Sequence, residues 1–380
     1  MTSRREIMPL LMTAVLLLIS CQGKDPVAPD LPAPPVPDLL DDGWAVSSLE
    51  AQGIDPRPVA LLSEEIRSGD FEEIHSLVIV RRGYLVFEEY YYPGHDAYYL
   101  HRLASVTKSV ISLLVGCAIE QGFISGHEQP LPELFPGLAD IFAAEPAKAE
   151  LTLRHALTMS SGLRWKDGIA GDPASDAHAM DHDTNSVRYV LSKPLDHKPG
   201  SRFHYTSMPT VVAGAIRNSS GMSVQAFADA ALFGPLGITD YRWEFQSDSL
   251  VRADGGLHLT ARALARLGQL CLDKGVWAGQ RILPEDWMEL SSREWIEATA
   301  GHYYGFLWWL RPSSGVPGFR LRSKSIYFGS GYGGQKLFVV PEYDLVVAVF
   351  GSDNELEDKD DQTVSHFVLY NILEAIRDQD

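Results

Sequence analysis

Three observations predict an α/β protein of the segregated (α+β) kind, an antiparallel sheet flanked by helices with a mostly helical second lobe. Strand-like runs lie near both ends of the chain, and helix-like runs broken by Pro and Gly fill its middle. The length, 380 residues, exceeds what one hydrophobic core usually organises. Composition is that of a globular protein, 45% hydrophobic and 22% charged.

The elements follow in order. Residues 59–66 have helical spacing. Leu77-Val78-Ile79-Val80 and Leu85-Val86-Phe87 flank Arg82-Gly83 and read as a hairpin, ended by Tyr90-Tyr91-Tyr92-Pro93-Gly94. From Ser105 to Ile119, Val106, Val110, Leu113, Leu114 and Ala118 recur at helical spacing, with Gly122 near the end. Further helices are expected at residues 152–159, 187–191, 209–219 and 261–272. Strands are then expected at 304–310, 325–328, 336–340 and 345–350, with a turn at 341–344, before an amphipathic helix at 364–376. An α/β lobe would thus comprise about 44–120 and 257–380, and a helical lobe about 121–256. A cleft between two lobes is a common ligand site.

Residues 1–20 read as an export signal. Arg4 and Arg5 precede a short apolar run that ends in Leu18-Ile19-Ser20-Cys21, the pattern of a bacterial lipoprotein signal. Cys21 would carry the lipid, and the Pro-dense residues 21–43 would tether the domain at 44–380 to a membrane of the bacterial cell envelope. Cys117 and Cys271 sit in apolar helical patterns and read as small buried hydrophobes. Without a Cys-x-x-Cys, neither a redox nor a zinc motif is indicated. The net charge of −18 argues against a nucleic-acid partner.

The chemistry starts at Ser105-Val106-Thr107-Lys108, the single Ser-x-x-Lys in the chain. Residues i and i+3 share a helix face, so the Lys108 amine can reach the Ser105 hydroxyl. The helix start offers free N–H groups and a positive dipole end to an oxyanion. Lys108 sits inside an otherwise apolar helix, where a plain surface lysine would be costly. Tyr205-Thr206-Ser207 follows 100 residues downstream, and a phenol beside a lysine can act as base on Ser105 and later as acid on the leaving group, which leaves open whether Lys108 or Tyr205 is the acylation base. Phe328-Gly329-Ser330-Gly331-Tyr332-Gly333-Gly334-Gln335 is a Gly-rich strand end that lets backbone approach a ligand. Gly-x-Ser-x-Gly is absent, which argues against a nucleophile elbow. Asp176, His178, Asp181, His182 and Asp183 have metal-like types without metal-like spacing and read as a solvated acidic loop; no metal or other cofactor is called for.

In this order the three motifs resemble the penicillin-recognising serine hydrolases, a group of class C β-lactamases, D,D-peptidases, β-lactamase-like esterases and 6-aminohexanoate-dimer hydrolases. Leu151–Leu163, Leu232–Ile238 and Gly331–Gln335 look like the same family, so the resemblance spans about residues 45–375. It implies a β-lactamase/transpeptidase-like fold. Ser105 would be the nucleophile, Lys108 its activating partner, Tyr205 the proton shuttle, and the N–H groups of Ser105 and Tyr332 the oxyanion hole. Ser207, Ser330, Gly331 and Trp165 would contact substrate, with Trp243 a second candidate for the acyl pocket. Gly329 stands where β-lactamases and D,D-peptidases carry a cation, and Ser207 where they usually carry Asn. Both departures move the expected substrate toward a small-molecule ester or amide. Arg320 or Arg322 could supply a replacement cation. A β-lactamase or D,D-peptidase is the alternative, and a non-catalytic envelope binding domain a further one; the oligomeric state is left open.

Overall fold

The computed structural model describes residues 31–69, 71, 74–166, 172–311, 326–352 and 361–377. Ala45–Val46 is β1, Pro56–Ser68 α1, Ile74–Arg81 β2, Tyr84–Tyr90 β3 and His101–Arg102 β4. Then come α2 (Val106–Glu120), α3 (Leu131–Leu134), α4 (Ala139–Ala144), α5 (Leu153–Leu157), α6 (Asp176–Asp181), α7 (Ser186–Ser192), α8 (Met208–Ser220) and α9 (Val224–Ala228). The chain continues through β5 (Tyr241–Trp243), β6 (Leu257–Leu259), α10 (Ala261–Leu272), β7 (Val276–Trp277), β8 (Gln280–Arg281) and α11 (Glu285–Ser291). It closes with β9 (Ile296–Thr299), β10 (His302–Tyr304), β11 (Trp309–Arg311), β12 (Ile326–Gly331), β13 (Gln335–Val340), β14 (Leu345–Gly351) and α12 (Asp361–Glu374).

Nine strands form one sheet in the order β1-β3-β2-β14-β13-β12-β11-β10-β9. Every pairing is antiparallel except β1 with β3, so the expected antiparallel sheet is a mixed one at its edge. The β2–β3 hairpin turns at Arg82 (φ 52°) and Gly83 (φ 78°), two left-handed residues that match the twist of the flanking strands. Strand β14 lies against β2, from Leu345 opposite Arg81 to Gly351 opposite Ile74. All of β2 and β14 is buried, as central strands covered on both faces must be. That pairing joins the two ends of the chain and leaves the helices α3–α9 as an insertion between them.

The pleat divides the core. Ile326, Phe328, Phe338 and Val340 face the layer of α1 and α12. Tyr327, Leu337 and Val339 face the opposite layer, where α2 and α10 lie. Helix α2 is mostly apolar, and every residue from Val106 to Ala118 is buried, because sheet and helical lobe enclose it from both sides. Cys117 and Cys271 are free and buried, and burial raises both thiols well above their usual range.

Two further expectations change. The single strand expected at 304–310 is a pair, β10 and β11, joined by Gly305-Phe306-Leu307-Trp308; Leu307 is left-handed (φ 62°) and its N–H donates to the Leu157 carbonyl (2.9 Å). Periodicity could not show this turn because its residues are as apolar as the strands. At the other end, Asp38 and Asp42, expected in the tether, are bound to the body. Buried Arg262 donates to the Asp38 carbonyl (2.8 Å) and pairs with the carboxylates of Asp42 (3.1 Å) and Glu88.

Candidate active site

The sequence makes the head of α2 tight. Val106 N–H donates to Leu103, Thr107 N–H to Ala104 and Lys108 N–H to Ser105, each at 3.1 Å, a 3₁₀-like first turn. Ala104, the residue before Ser105, is held in the left-handed region at φ 44°, strain of the kind that gathers at reactive sites. Three bonds fix the rotation of the helix. The Leu257 N–H donates to Thr107 Oγ1 (3.3 Å), Ser109 Oγ donates to the Leu307 carbonyl (2.8 Å), and Trp287 Nε1 donates to the Ser112 carbonyl (3.1 Å).

That rotation turns Lys108 toward Ser105. Lys108 is 4% exposed, and its Nζ donates to Ser105 Oγ at 2.8 Å and to the Asp254 main-chain carbonyl at 2.6 Å. Tyr205 completes the group by a different contact from the one expected: the lysine nitrogen lies over its ring, 4.9 Å from the centroid. The Tyr205 ring in turn stacks on Trp309 (6.0 Å, 26°) and meets Tyr304 edge-on (6.4 Å), with Phe203 alongside. Burial, with Tyr205 adding to it, holds the Tyr304 phenol far above its usual range.

Other candidate residues take different places. Ser207 is buried, and its hydroxyl donates to Asp254 Oδ2 at 2.8 Å, so it is engaged with protein. Gly329 and Gly331 face α2. A Cβ at 329 would lie 2.9 Å from Val106 Cγ1 and 3.1 Å from Ser109 Oγ; one at 331 would lie 2.4 Å from the Leu103 carbonyl oxygen. Only glycine lets strand and helix approach this closely. The pleat turns Ser330 to the other face, opposite Lys336, so the strand presents backbone toward Ser105. After the strand, Gln335 Nε2 donates to the carbonyls of Tyr332 (3.3 Å), Gly333 (3.2 Å) and Ser352 (3.1 Å), and its Oε1 accepts from the Gly351 N–H (3.0 Å). This clamp shapes the turn that carries the Tyr332 N–H. Trp165 packs on Tyr189 (6.4 Å, edge-on), and Trp243 on Phe233 in the core. Arg320 and Arg322 lie outside the described residues.

The acidic segment at 176–185 is not a solvated loop. Ser175 caps α6 through the His178 N–H (3.1 Å), Asp176 pairs with Lys193 (2.5 Å), and Asp181 pairs with Arg252 (2.9 Å). Burial raises the Asp181 pKa, nearby Asp254 adds to that, and Arg252 opposes it. Sequence reading missed Asp254 and Trp309. The signal for Asp254 was Asp-Gly-Gly just before β6, a turn that presents a carbonyl; Trp309 carries none apart from the fold.

Comparison with known proteins fits this geometry. A beta-lactamase family model matches residues 75–368. The 6-aminohexanoate-dimer hydrolase of Paenarthrobacter ureafaciens is 27% identical over 297 residues, 72% of this chain and 71% of the relative. Esterase EstB of Burkholderia gladioli is 32% identical over 154 residues, 37% of this chain and 38% of the relative. In fold, the octameric penicillin-binding protein homologue from Pyrococcus abyssi superposes with a TM-score of 0.63 at 17% identity, covering 84% of this chain and 78% of that one.

Proposed function

The chain belongs to the beta-lactamase family and is a serine hydrolase, and we propose that it cleaves ester or amide bonds through an acyl-Ser105 intermediate. The observation that carries this reading is the 2.8 Å contact between Lys108 Nζ and Ser105 Oγ at the head of a buried helix. In the first step Ser105 Oγ bonds to the substrate carbonyl carbon while its proton passes to the Lys108 amine. The N–H groups of Ser105 and Tyr332 hold the oxyanion. Collapse of the tetrahedral intermediate expels the alcohol or amine, which takes a proton from the Tyr205 phenol; Lys108 returns its proton to Tyr205. Water then adds to the acyl carbon through the same groups, releases the acid and restores Ser105.

The substrate side rests on position 329. Val106 and Ser109 fill the space a cationic side chain there would need, so a carboxylate ligand loses its usual partner. A neutral ester or amide fits this better than a penicillin, in keeping with the activities named for the hydrolase and esterase relatives. The test uses the full chain, a fluorophosphonate probe, p-nitrophenyl esters, aminohexanoate-type amides and a chromogenic cephalosporin. The parent is expected to label and to turn over an ester or amide, and Ser105→Ala to do neither. Labelling of Ser105→Ala at the parental level would overturn the nucleophile; cephalosporin as the preferred substrate would overturn the substrate class. No acyl adduct with any probe would mean a binding domain.

The envelope location belongs to the same proposal. It rests on the Ser20-Cys21 pattern. Among the described residues no helix is long and apolar enough to cross a membrane. Expression in a Gram-negative host with an alkyne-palmitate label should tag the parent; equal tagging of Cys21→Ser would remove the anchor from Cys21.

A further inference from the structure

Three histidines converge outside the Ser105 site. His75 is the second residue of β2, His95 lies in the connection after β3, and His101 opens β4. Their ligand nitrogens all lie within 4.8 Å of one another, and His75 Nδ1 is 3.0 Å from His101 Nε2. His75 and His101 are buried, 6% and 2% exposed, while His95 is partly open to solvent. Separations of 20 and 6 residues match no ligand motif, which is why the sequence did not reveal them.

We propose that His75, His95 and His101 form a binding site for a single divalent transition-metal ion of the zinc type. Around a tetrahedral zinc with Zn–N of about 2.0–2.1 Å, ligand nitrogens sit roughly 3.3–3.4 Å apart. The cluster therefore needs only small ring movements to close on an ion. His101 is already oriented: its Nδ1 lies 3.1 Å from the Arg102 carbonyl, which keeps the proton there and leaves Nε2 to face the cluster. Each ring is also braced, His75 against Tyr92 (4.3 Å), His95 stacked on Tyr99 (3.7 Å, 19°) and His101 stacked on Phe350 (4.5 Å, 15°). The group is imidazole only, a donor set that suits zinc, copper or nickel and disfavours magnesium and calcium. With three protein ligands the fourth position is left to water, reached from the side of His95.

The position suggests what such an ion does. β4 pairs with β6, and His101 stands four residues before Ser105, so an ion would pin residues 91–100 to β2 and to the stem of the nucleophile. The test uses the full chain stripped with a chelator and titrated with zinc chloride by calorimetry, and with cobalt chloride by visible absorption. One equivalent of zinc per chain is expected, with a rise in melting temperature that a chelator reverses and cobalt bands of tetrahedral nitrogen ligation. His95→Ala, at the least buried ligand, should weaken affinity by more than about 100-fold. His178→Ala, from the neighbouring His178–His182 pair (centroids 4.3 Å apart), should bind as the parent does. Absence of saturable one-to-one uptake by the parent would overturn the site, as would undiminished uptake by His95→Ala. Should His95→Ala fail to fold, the parent's cobalt spectrum decides alone, and octahedral bands would count against the proposal.

Discussion

Two lysines are buried to almost the same degree, Lys108 at 4% and Lys148 at 3% exposure, and the difference between them separates chemistry from scaffolding. Each donates to one main-chain carbonyl, Lys108 to Asp254 (2.6 Å) and Lys148 to Leu191 (2.8 Å). The second partner differs. Lys148 pairs with the Glu145 carboxylate at 3.2 Å, which keeps its charge in place and ties the turn before α5 to the end of α7. Lys108 has the Ser105 hydroxyl at 2.8 Å instead, a group that can give up a proton to it. A buried amine with a carboxylate is a rivet; one with a hydroxyl and a neutral carbonyl is a candidate base.

The comparison breaks most sharply at Lys108. Replacing it by Ala should lower the rate of Ser105 acylation by about 10⁴–10⁶-fold, the range of losses when one member of a catalytic unit is removed. Circular dichroism should stay unchanged. A fall of less than tenfold would return Lys108 to the scaffold class.

The next effect concerns pH and the segment Lys148 supports. His155 Nδ1 accepts from the Thr152 N–H (3.0 Å) at the head of α5, a bond that protonation would abolish. Burial, with Arg154 adding to it, lowers its pKa from 6.5 to about 4. The sign follows from linkage. The unfolded chain takes up the proton first, so the stability due to neutral His155 is complete above about pH 6.5 and is lost as pH falls through 4. The full loss is up to about 3 kcal/mol. Melting temperature should therefore fall from pH 7 to pH 4, and His155→Gln, whose amide oxygen can accept the same bond, should flatten part of that slope. An unchanged slope in the variant would assign the acid sensitivity elsewhere, with His75 the first alternative.

Lys148→Met should be milder. It leaves the Leu191 carbonyl without this donor, while Glu145, about a third exposed, can turn to water; the expected cost is about 1–2 kcal/mol. Denaturant melts measure it, and acylation of Ser105 should proceed at the parental rate. A fall in acylation without a fall in stability would blur the division between the two lysines.

How much of this was legible beforehand follows from range. The β2–β3 hairpin, α2, α8 and α10 are set by local periodicity and turn residues, and Ser105 and Lys108 need only one helical turn to meet. The β10–β11 turn was hidden because its residues are as apolar as the strands. Asp254 and Trp309 reach the site from 146 and 201 residues beyond Lys108; the pairing of β4 with β6 brings the first there and the nine-stranded sheet the second. The paired acids of α6 misled for the same reason, since Lys193 and Arg252 come from distant segments.

Ser207 tests the link between Lys108 and its neutral carbonyl, and the smallest effect is expected there. Its hydroxyl donates to the Asp254 side chain, while the Asp254 main chain accepts from Lys108, so Ser207 positions the lysine at one remove. Removing one hydrogen bond of this kind is worth about 1–1.5 kcal/mol. Ser207→Ala should therefore slow acylation about tenfold, in kcat with KM little changed, because the ground-state contacts of the substrate are elsewhere. Ser207→Asn, which restores a donor at the same position, should recover most of the loss. A substrate-binding hydroxyl would behave differently, raising KM on removal and sparing kcat. That outcome would return Ser207 to the substrate and leave the Asp254 carbonyl, held by the turn before β6 alone, as the sole neutral anchor of Lys108.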